Sequence, residues 1–445
     1  MFHNIRFKKH LTTFQSIFLG FFLIIIIGSL LLMLPISSVS GKVTPFNESL
    51  FTATSAVCVT GLVVHDTGSY WSTFGQAIIL ILIQIGGLGV ITVAASFALL
   101  SGRKISLMQR STMQEAIAAP KIGGIVRLTG FVLKATLIFE LSGAVIMMPV
   151  LCKDYGAKGV WLAVFHSISA FCNAGFDILG TDASKYVSLT QYVNCTSINF
   201  VVIFLIVIGG IGFLTWEDIY TNKLHFRRYR MQSKVILITS AILIIVPALY
   251  FFFFDLNNLP IKQRILSSLF QSVTTRTAGF NTVDLTALQE PSIATMIVLM
   301  IIGGSPGSTA GGIKTTTVAV LIANSLATFG RKDSSHFFKR RIDNQVVKNA
   351  STILIMYLVL SFTGAVAIST AEKIPFLKCL FETSSAIGTV GLTLGITPEL
   401  GLFSQLILIL LMFCGRVGGL TLIYAAISNT KKNISKYPLE HITVG

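Results

Sequence analysis

Phe51-Thr52-Ala53-Thr54-Ser55-Ala56-Val57-Cys58-Val59-Thr60-Gly61-Leu62 is a short apolar stretch studded with hydroxyls, and it ends on a glycine followed by a large apolar residue. The pattern returns three times. The second copy is Phe165-His166-Ser167-Ile168-Ser169-Ala170-Phe171-Cys172-Asn173-Ala174-Gly175-Phe176. The third is Leu269-Phe270-Gln271-Ser272-Val273-Thr274-Thr275-Arg276-Thr277-Ala278-Gly279-Phe280. The fourth is Phe381-Glu382-Thr383-Ser384-Ser385-Ala386-Ile387-Gly388-Thr389-Val390-Gly391-Leu392. All four align without gaps, at a period of about 110 residues, and a fixed period marks an architecture of repeated units.

Around these stretches lie apolar windows long enough to span a bilayer, at 14–34, 76–100, 133–151, 198–220, 234–254, 293–325, 352–370 and 404–428. They come in pairs, with one copy of the repeat inside each pair. The 445 residues are 53% hydrophobic and only 12% charged, with mean hydropathy +0.78, so a lipid-facing surface is required. The fold class expected is an all-α integral membrane protein of four span–pore loop–span units around one pore. Their boundaries fall at 1–100, 101–222, 223–330 and 331–445.

The net charge of +16 does not indicate nucleic acid, because the cations sit in short runs between apolar windows. Twenty-three Lys and Arg residues fall at the termini and in the links between pairs, and nine in the links within pairs. That asymmetry predicts cytoplasmic N- and C-termini, with the repeats reached from outside. The run from Ile17 to Leu34 has the length of a retained span rather than a signal peptide. The six cysteines form no CxxC pair and read as apolar fillers. We find no catalytic constellation, no metal cluster and no resident cofactor in the pattern.

A segment of about ten residues is too short to span, and can enter the membrane only as a half-helix. Its C-terminal end carries about half a negative charge, which favours a cation just beyond it. The following tripeptides are Val59-Thr60-Gly61, Asn173-Ala174-Gly175, Thr277-Ala278-Gly279 and Thr389-Val390-Gly391. They can run extended with carbonyls facing a cavity, and such carbonyls replace the hydration shell of a potassium ion. The tripeptides are therefore the candidate ion selectivity filter.

The second span of each pair also carries glycines: Gly86-Gly87-Leu88-Gly89, Gly209-Gly210-Ile211-Gly212 and Gly415-Arg416-Val417-Gly418-Gly419. In the third, the signature lengthens to Gly303-Gly304-Ser305-Pro306-Gly307-Ser308-Thr309-Ala310-Gly311-Gly312-Ile313-Lys314-Thr315-Thr316-Thr317. Glycine costs about 1 kcal/mol and proline about 3 kcal/mol per helical position, so this span is expected to break into a loop lining the pore. A phosphate-binding loop is excluded, since that motif needs Lys directly after Gly and Ile313 intervenes. Arg416 lies inside an apolar window, where it repels cations in the pore, bonds loop carbonyls, or does both, since such bonds hold a loop closed. Lys314 is expected to snorkel at a helix end, and Glu140 to pair with a basic residue in the bundle.

At these residues the chain resembles the Trk/Ktr/HKT superfamily of cation transporters over nearly its whole length. The resemblance is strongest to the membrane subunit of a bacterial Ktr potassium uptake system. In that family each filter is reduced to one glycine, matched by Gly61, Gly175, Gly279 and Gly391. Sodium-preferring relatives carry Ser at the first position, so Gly61 implies potassium preference. The resemblance further implies that residues 303–312, Lys314 and Arg416 form an intramembrane gate. It implies a homodimer with one pore per protomer, and a cytosolic ring of nucleotide-binding regulatory subunits. Passive potassium conduction, with the membrane potential as driving force, is the function expected. A sodium-coupled potassium symporter and a transporter of another solute are the alternatives, the latter disfavoured because every unit has an even number of spans and hence one orientation.

Overall fold

Glycine decides where the apolar windows become helices and where they stop. The structure, a computed structural model, describes residues 12–90, 92–93, 107–117, 123–223, 225–419, 438 and 440. The expected basic residues at 1–11 and 431–436, and the ends of the windows at 94–100 and 420–428, lie outside the described residues.

The principal helices of the first two repeats are α1 (Thr13–Leu32), α2 (Phe46–Val57), α3 (Thr73–Leu88), α4 (Leu107–Ile117), α5 (Ile125–Tyr155), α6 (Lys158–Phe171), α7 (Thr196–Ile211) and α8 (Phe213–Asn222). Then follow α9 (Met231–Tyr250), α10 (Ile261–Thr274), α11 (Glu290–Ile301) and α12 (Thr315–Phe329). A small hairpin of β1 (His336–Phe337) and β2 (Arg340–Arg341) precedes α13 (Asn344–Glu372), α14 (Phe376–Gly388) and α15 (Leu402–Val417).

Among the described residues four helices are long and apolar enough to cross a membrane: α1, α5, α9 with the π turn that extends it to Asp255, and α13. Each is the first helix of a pair. The second helices are all divided, whereas the sequence predicted a break only in the third pair. Helix α3 stops at Gly89 (φ 85°), α7 at Gly212 (φ 100°) and α15 at Gly418 (φ 88°). A positive φ is incompatible with a continuing right-handed helix, and glycine reaches it without a Cβ penalty. At Gly212 the chain turns by 97° between α7 and α8.

The long helices form the outside. Phe22, Leu23, Leu137, Ile138, Ile245, Val246, Leu358 and Val359 all stand exposed on them, as a lipid-facing surface requires. The short helices α2, α6, α10 and α14 form the inside. Pro45, Pro260 and Pro375 directly precede three of them, where the missing N–H has no helical partner to lose. Phe51, Phe165 and Phe381 are fully buried, each contributing roughly 1.5–3 kcal/mol of apolar burial.

Candidate functional site

The four short helices deliver the four tripeptides to one place. Their glycines close a ring: a Cβ on Gly61 would come within 2.5 Å of the Ala174 carbonyl oxygen, and one on Gly175 within 2.8 Å of that of Ala278. A Cβ on Gly279 would strike the Val390 carbonyl, and one on Gly391 would strike the Thr60 carbonyl, completing the circuit. The backbone follows one rule in every copy. The first residue is left-handed, with φ 56° at Val59, 57° at Asn173, 69° at Thr277 and 51° at Thr389. The glycine is positive again, at 92°, 69°, 82° and 90° in the same order. The middle residues Thr60, Ala174, Ala278 and Val390 are not. In an ordinary strand successive carbonyls point to opposite faces; alternating the sign of φ turns them to one face. Left-handed backbone at β-branched Val and Thr is strained, by about 1–3 kcal/mol each, and persists only where the surroundings impose it.

Those surroundings are hydroxyls and helix ends. The Thr60, Ala174 and Val390 N–H groups each donate to a carbonyl five residues back, on Ser55, Ser169 and Ser385, at 2.8 Å. The Gly61 and Gly391 N–H groups donate to Ser55 Oγ and Ser385 Oγ at 3.0 Å. The third copy differs from the gapless alignment. There Ala278 N–H donates to Thr274, only four residues back, and the buried aromatic is Phe270 rather than the aligned Leu269. The helical part of that copy is offset by one residue: four residues separate Thr274 from Gly279, where five separate Ser55 from Gly61. The sequence pattern concealed this because Leu269 and Phe270 both fit an apolar first position.

The loop between α11 and α12 sits against this ring. Its neck is a parallel bridge between Ile302 and Ile313, with Gly303 N–H donating to Ile313 O at 2.8 Å. Thr309 Oγ1 donates to Phe171 O at 3.1 Å, at the end of α6. Gly311 packs so closely on Thr389 that a Cβ there would collide with the Thr389 side chain. Ser305 and Thr309 N–H groups donate to Gly210 O (3.0 Å) and Gly209 O (3.2 Å), and Phe213 N–H donates to Gly307 O at 2.7 Å. Thus the turn that breaks α7 from α8 is also where the loop docks. Gly304 and Ala310 are in contact across the loop, and Pro306 and Ser308 line its far side.

Arg416 on α15 holds the loop. Its Nη1 donates to Thr309 O, and its Nη2 donates to Gly86 O and, at 3.0 Å, to Gly87 O. One guanidinium therefore ties the first, third and fourth second-helices together through backbone carbonyls. Lys314 caps the start of α12, and its Nζ turns back to donate to Ala310 O (2.8 Å) and Gly311 O (3.3 Å), carbonyls that the broken helix leaves free. Beyond loop and arginine lies a cavity of about 360 Å³, lined in part by Phe21, Gly89, Glu115, Phe213, Lys314 and Arg416.

Other sequence readings change. Glu140 is buried, and its Oε2 accepts from Gln84 Nε2 at 3.2 Å rather than meeting a cation. Asp218 is buried and accepts from Arg230 N–H at 2.7 Å. His65 and His166, which flank two of the tripeptides, meet Glu48 Oε2 at 2.7 Å and Leu162 O at 2.7 Å. Glycines read only as gate signatures also serve packing. A Cβ at Gly86, Gly209 or Gly415 would strike the carbonyl of Val57, Phe171 or Ile387, so these glycines let the short helices' ends approach. Their position three residues before each helix break is the signal that could have found this.

Long apolar outer helices, short buried inner ones and broken second helices define a helical multi-pass membrane transporter. The chain matches the TrkH family, Cation transport protein, over residues 7–437, and it belongs to that family. It is 38% identical to the Potassium/sodium uptake protein NtpJ of Enterococcus hirae, over 99% of each chain. It is 39% identical to the Ktr system potassium uptake protein B of Bacillus subtilis, over 97% of this chain and 96% of that one. These similarities make it a membrane subunit of the Ktr type, and the relatives are named as transport proteins, not enzymes. The crystal structure of the potassium transporter TrkH from Vibrio parahaemolyticus has the same fold, with TM-score 0.74 at 16% identity, covering 95% of this chain and 86% of that one.

Proposed function

We propose that this chain takes up potassium through the ring of four tripeptides, from outside the cell to the cytoplasm. The observation that carries the reading is the closed ring itself, with four glycines each two residues after a left-handed Val, Asn or Thr. Potassium loses its water at the outer mouth, is held by tripeptide carbonyls and passes into a cavity below. The 303–312 loop, pinned by Arg416 and Lys314, obstructs that route until it is displaced. The inside-negative potential supplies about 2.3 kcal/mol per charge per 100 mV.

The same reading includes four span–pore loop–span units, with both termini cytoplasmic as the distribution of basic residues requires. It also includes a homodimer with one pore per protomer and a cytosolic nucleotide-binding ring that moves the loop. Potassium is the substrate, and no resident cofactor is invoked.

Cation flux into liposomes holding the purified chain tests the reading. Potassium and rubidium flux without sodium, and none of a bulky organic cation, is the expected result. Equal flux of all four would end it. A second reading is a sodium-coupled potassium symporter, favoured by the Potassium/sodium naming of the Enterococcus hirae relative. Potassium flux that appears only when sodium is added would select it.

The outer mouth makes a separate prediction. Asp177 lies two residues beyond Gly175, and burial together with the charge of Asp66 pushes its carboxyl up to about 7. A raised carboxylate value means the negative charge is present above about pH 7 and lost as pH falls through it. Potassium flux at low concentration should therefore rise several-fold from pH 6 to pH 8. In Asp177→Asn this rise should flatten; an identical pH profile in that variant would remove Asp177 from the route.

A further inference from the structure

The flank formed by α9 and α12 plays no part in the ring or the loop, yet it is built as a site. Between the two helices runs a groove of about 440 Å³, walled by Ile238, Ile242 and Leu243 of α9 and by Val318, Ile322 and Leu326 of α12. Ile242 is 55% exposed, Ile322 54% and Leu326 64%, so no other helix among the described residues covers the groove. One end is closed by Lys332, His336 and Phe337 of the hairpin segment.

That end is strongly basic. In the hairpin His336 pairs directly with Arg341, and Phe337 with Arg340. Directly paired residues of antiparallel strands share a face, so Arg341 stands beside His336 at the groove's end. Lys234, at the start of α9, lies 5.6 Å from the Phe338 ring and adds a further cation. Residues 331–343 hold five Lys and Arg against two Asp, and the Asp343 carboxylate is occupied in capping α13 by accepting from Gln345 N–H at 3.0 Å. None of Lys332, Arg340 or Arg341 lies in an ion pair; the two ion pairs among the described residues are His65–Glu48 and Arg230–Glu217.

We infer that this groove binds one anionic phospholipid, an acyl chain lying between α9 and α12 and the headgroup phosphate among Lys332, His336 and Arg341. A hydrocarbon trough leading to a cationic end between membrane helices matches both parts of such a molecule. A free phosphate would use the cations and leave the apolar walls unmet. A second copy of the chain, itself at net +16, supplies few anions to a basic end. The lipid would lie along the helix that leads directly out of the 303–314 segment.

The test is native mass spectrometry of the full chain in detergent, with dioleoylphosphatidylglycerol or dioleoylphosphatidylcholine added at equal concentration. The two lipids share their chains, so only the headgroup differs. The wild type should retain the glycerol lipid roughly tenfold better. The triple variant Lys332→Gln, His336→Gln, Arg341→Gln should lose that preference, and Ile322→Trp, which fills the groove, should weaken retention of both lipids. Equal retention of the two lipids by the wild type would overturn the site, and that measurement needs no variant to fold. Displacement of the glycerol lipid by millimolar inorganic phosphate alone would reduce the site to a free-anion site and overturn it. Unchanged retention in a folded triple variant would also overturn it and assign the basic hairpin to a protein partner. Conversion of a dimer to a monomer by Ile322→Trp, with lipid retention unchanged, would assign the groove to a second copy.

Discussion

Replacing Gly61 by Ser lowers the preference for potassium over sodium by about tenfold or more, read as relative flux in liposomes. Gly61 holds φ 92°, a region that side-chain-bearing residues rarely adopt. A Cβ there meets the Ala174 carbonyl oxygen at 2.5 Å, and that oxygen belongs to the next tripeptide of the ring. Real Cβ contacts do not come that close, so either Gly61 leaves its φ or Ala174 O turns away. Both outcomes move a carbonyl in the proposed filter. The neighbouring units cannot absorb the shift, because Gly391 and Gly175 pack on Gly61 with the same tightness. Potassium selection by carbonyl number and spacing is lost before conduction is, so total flux should fall less than selectivity. A variant that folds and keeps its selectivity would remove the first unit from the filter.

Deleting residues 303–312 raises potassium flux by about tenfold or more in the purified chain, because it removes the proposed obstruction and leaves the ring residues in place. The deletion is drawn from the structure: the Ile302–Ile313 bridge closes the neck, so the two ends of the cut already lie side by side. Arg416→Gln should act in the same direction by a smaller factor, since its contacts with Thr309, Gly86 and Gly87 carbonyls hold the loop against two other units. A hydrogen bond to a charged group contributes about 1.5–3 kcal/mol, enough to shift a closed loop's population but not to abolish it. Flux that drops in a deletion variant with intact folding would make the loop a structural support rather than a gate. The close contact of Gly311 with Thr389 is where such support would act.

Much of this site could be read from the residues. The fourfold repeat located every tripeptide, because a short hydroxyl-bearing apolar stretch ending in glycine is rare enough that four copies at one period are unmistakable. The broken third span was legible for the same kind of reason: five glycines and a proline in ten residues cannot stay helical. The breaks at Gly89, Gly212 and Gly418 were not legible. One glycine in an apolar run is tolerated in most helices, and only its φ distinguishes a break from a packing glycine. The one-residue offset of the third copy was hidden too, since consecutive Leu269 and Phe270 satisfy the pattern in either register.

The sequence by itself therefore determined the class, the fourfold repeat and the residues of the tripeptides, and it located the loop, although residues 315–317 belong to the helix that follows. These follow from composition and periodicity, which are local properties. Only the tertiary structure decided that the glycines close one ring, that Lys314 turns back into its own loop, and that Arg416 reaches carbonyls 107, 329 and 330 residues away in sequence. It decided as well that Glu140 meets Gln84 rather than a cation. Which polar group a buried side chain finds depends on which backbone carbonyls the surrounding helix breaks leave free, and that is set by how distant segments pack, not by the residues beside it in the chain.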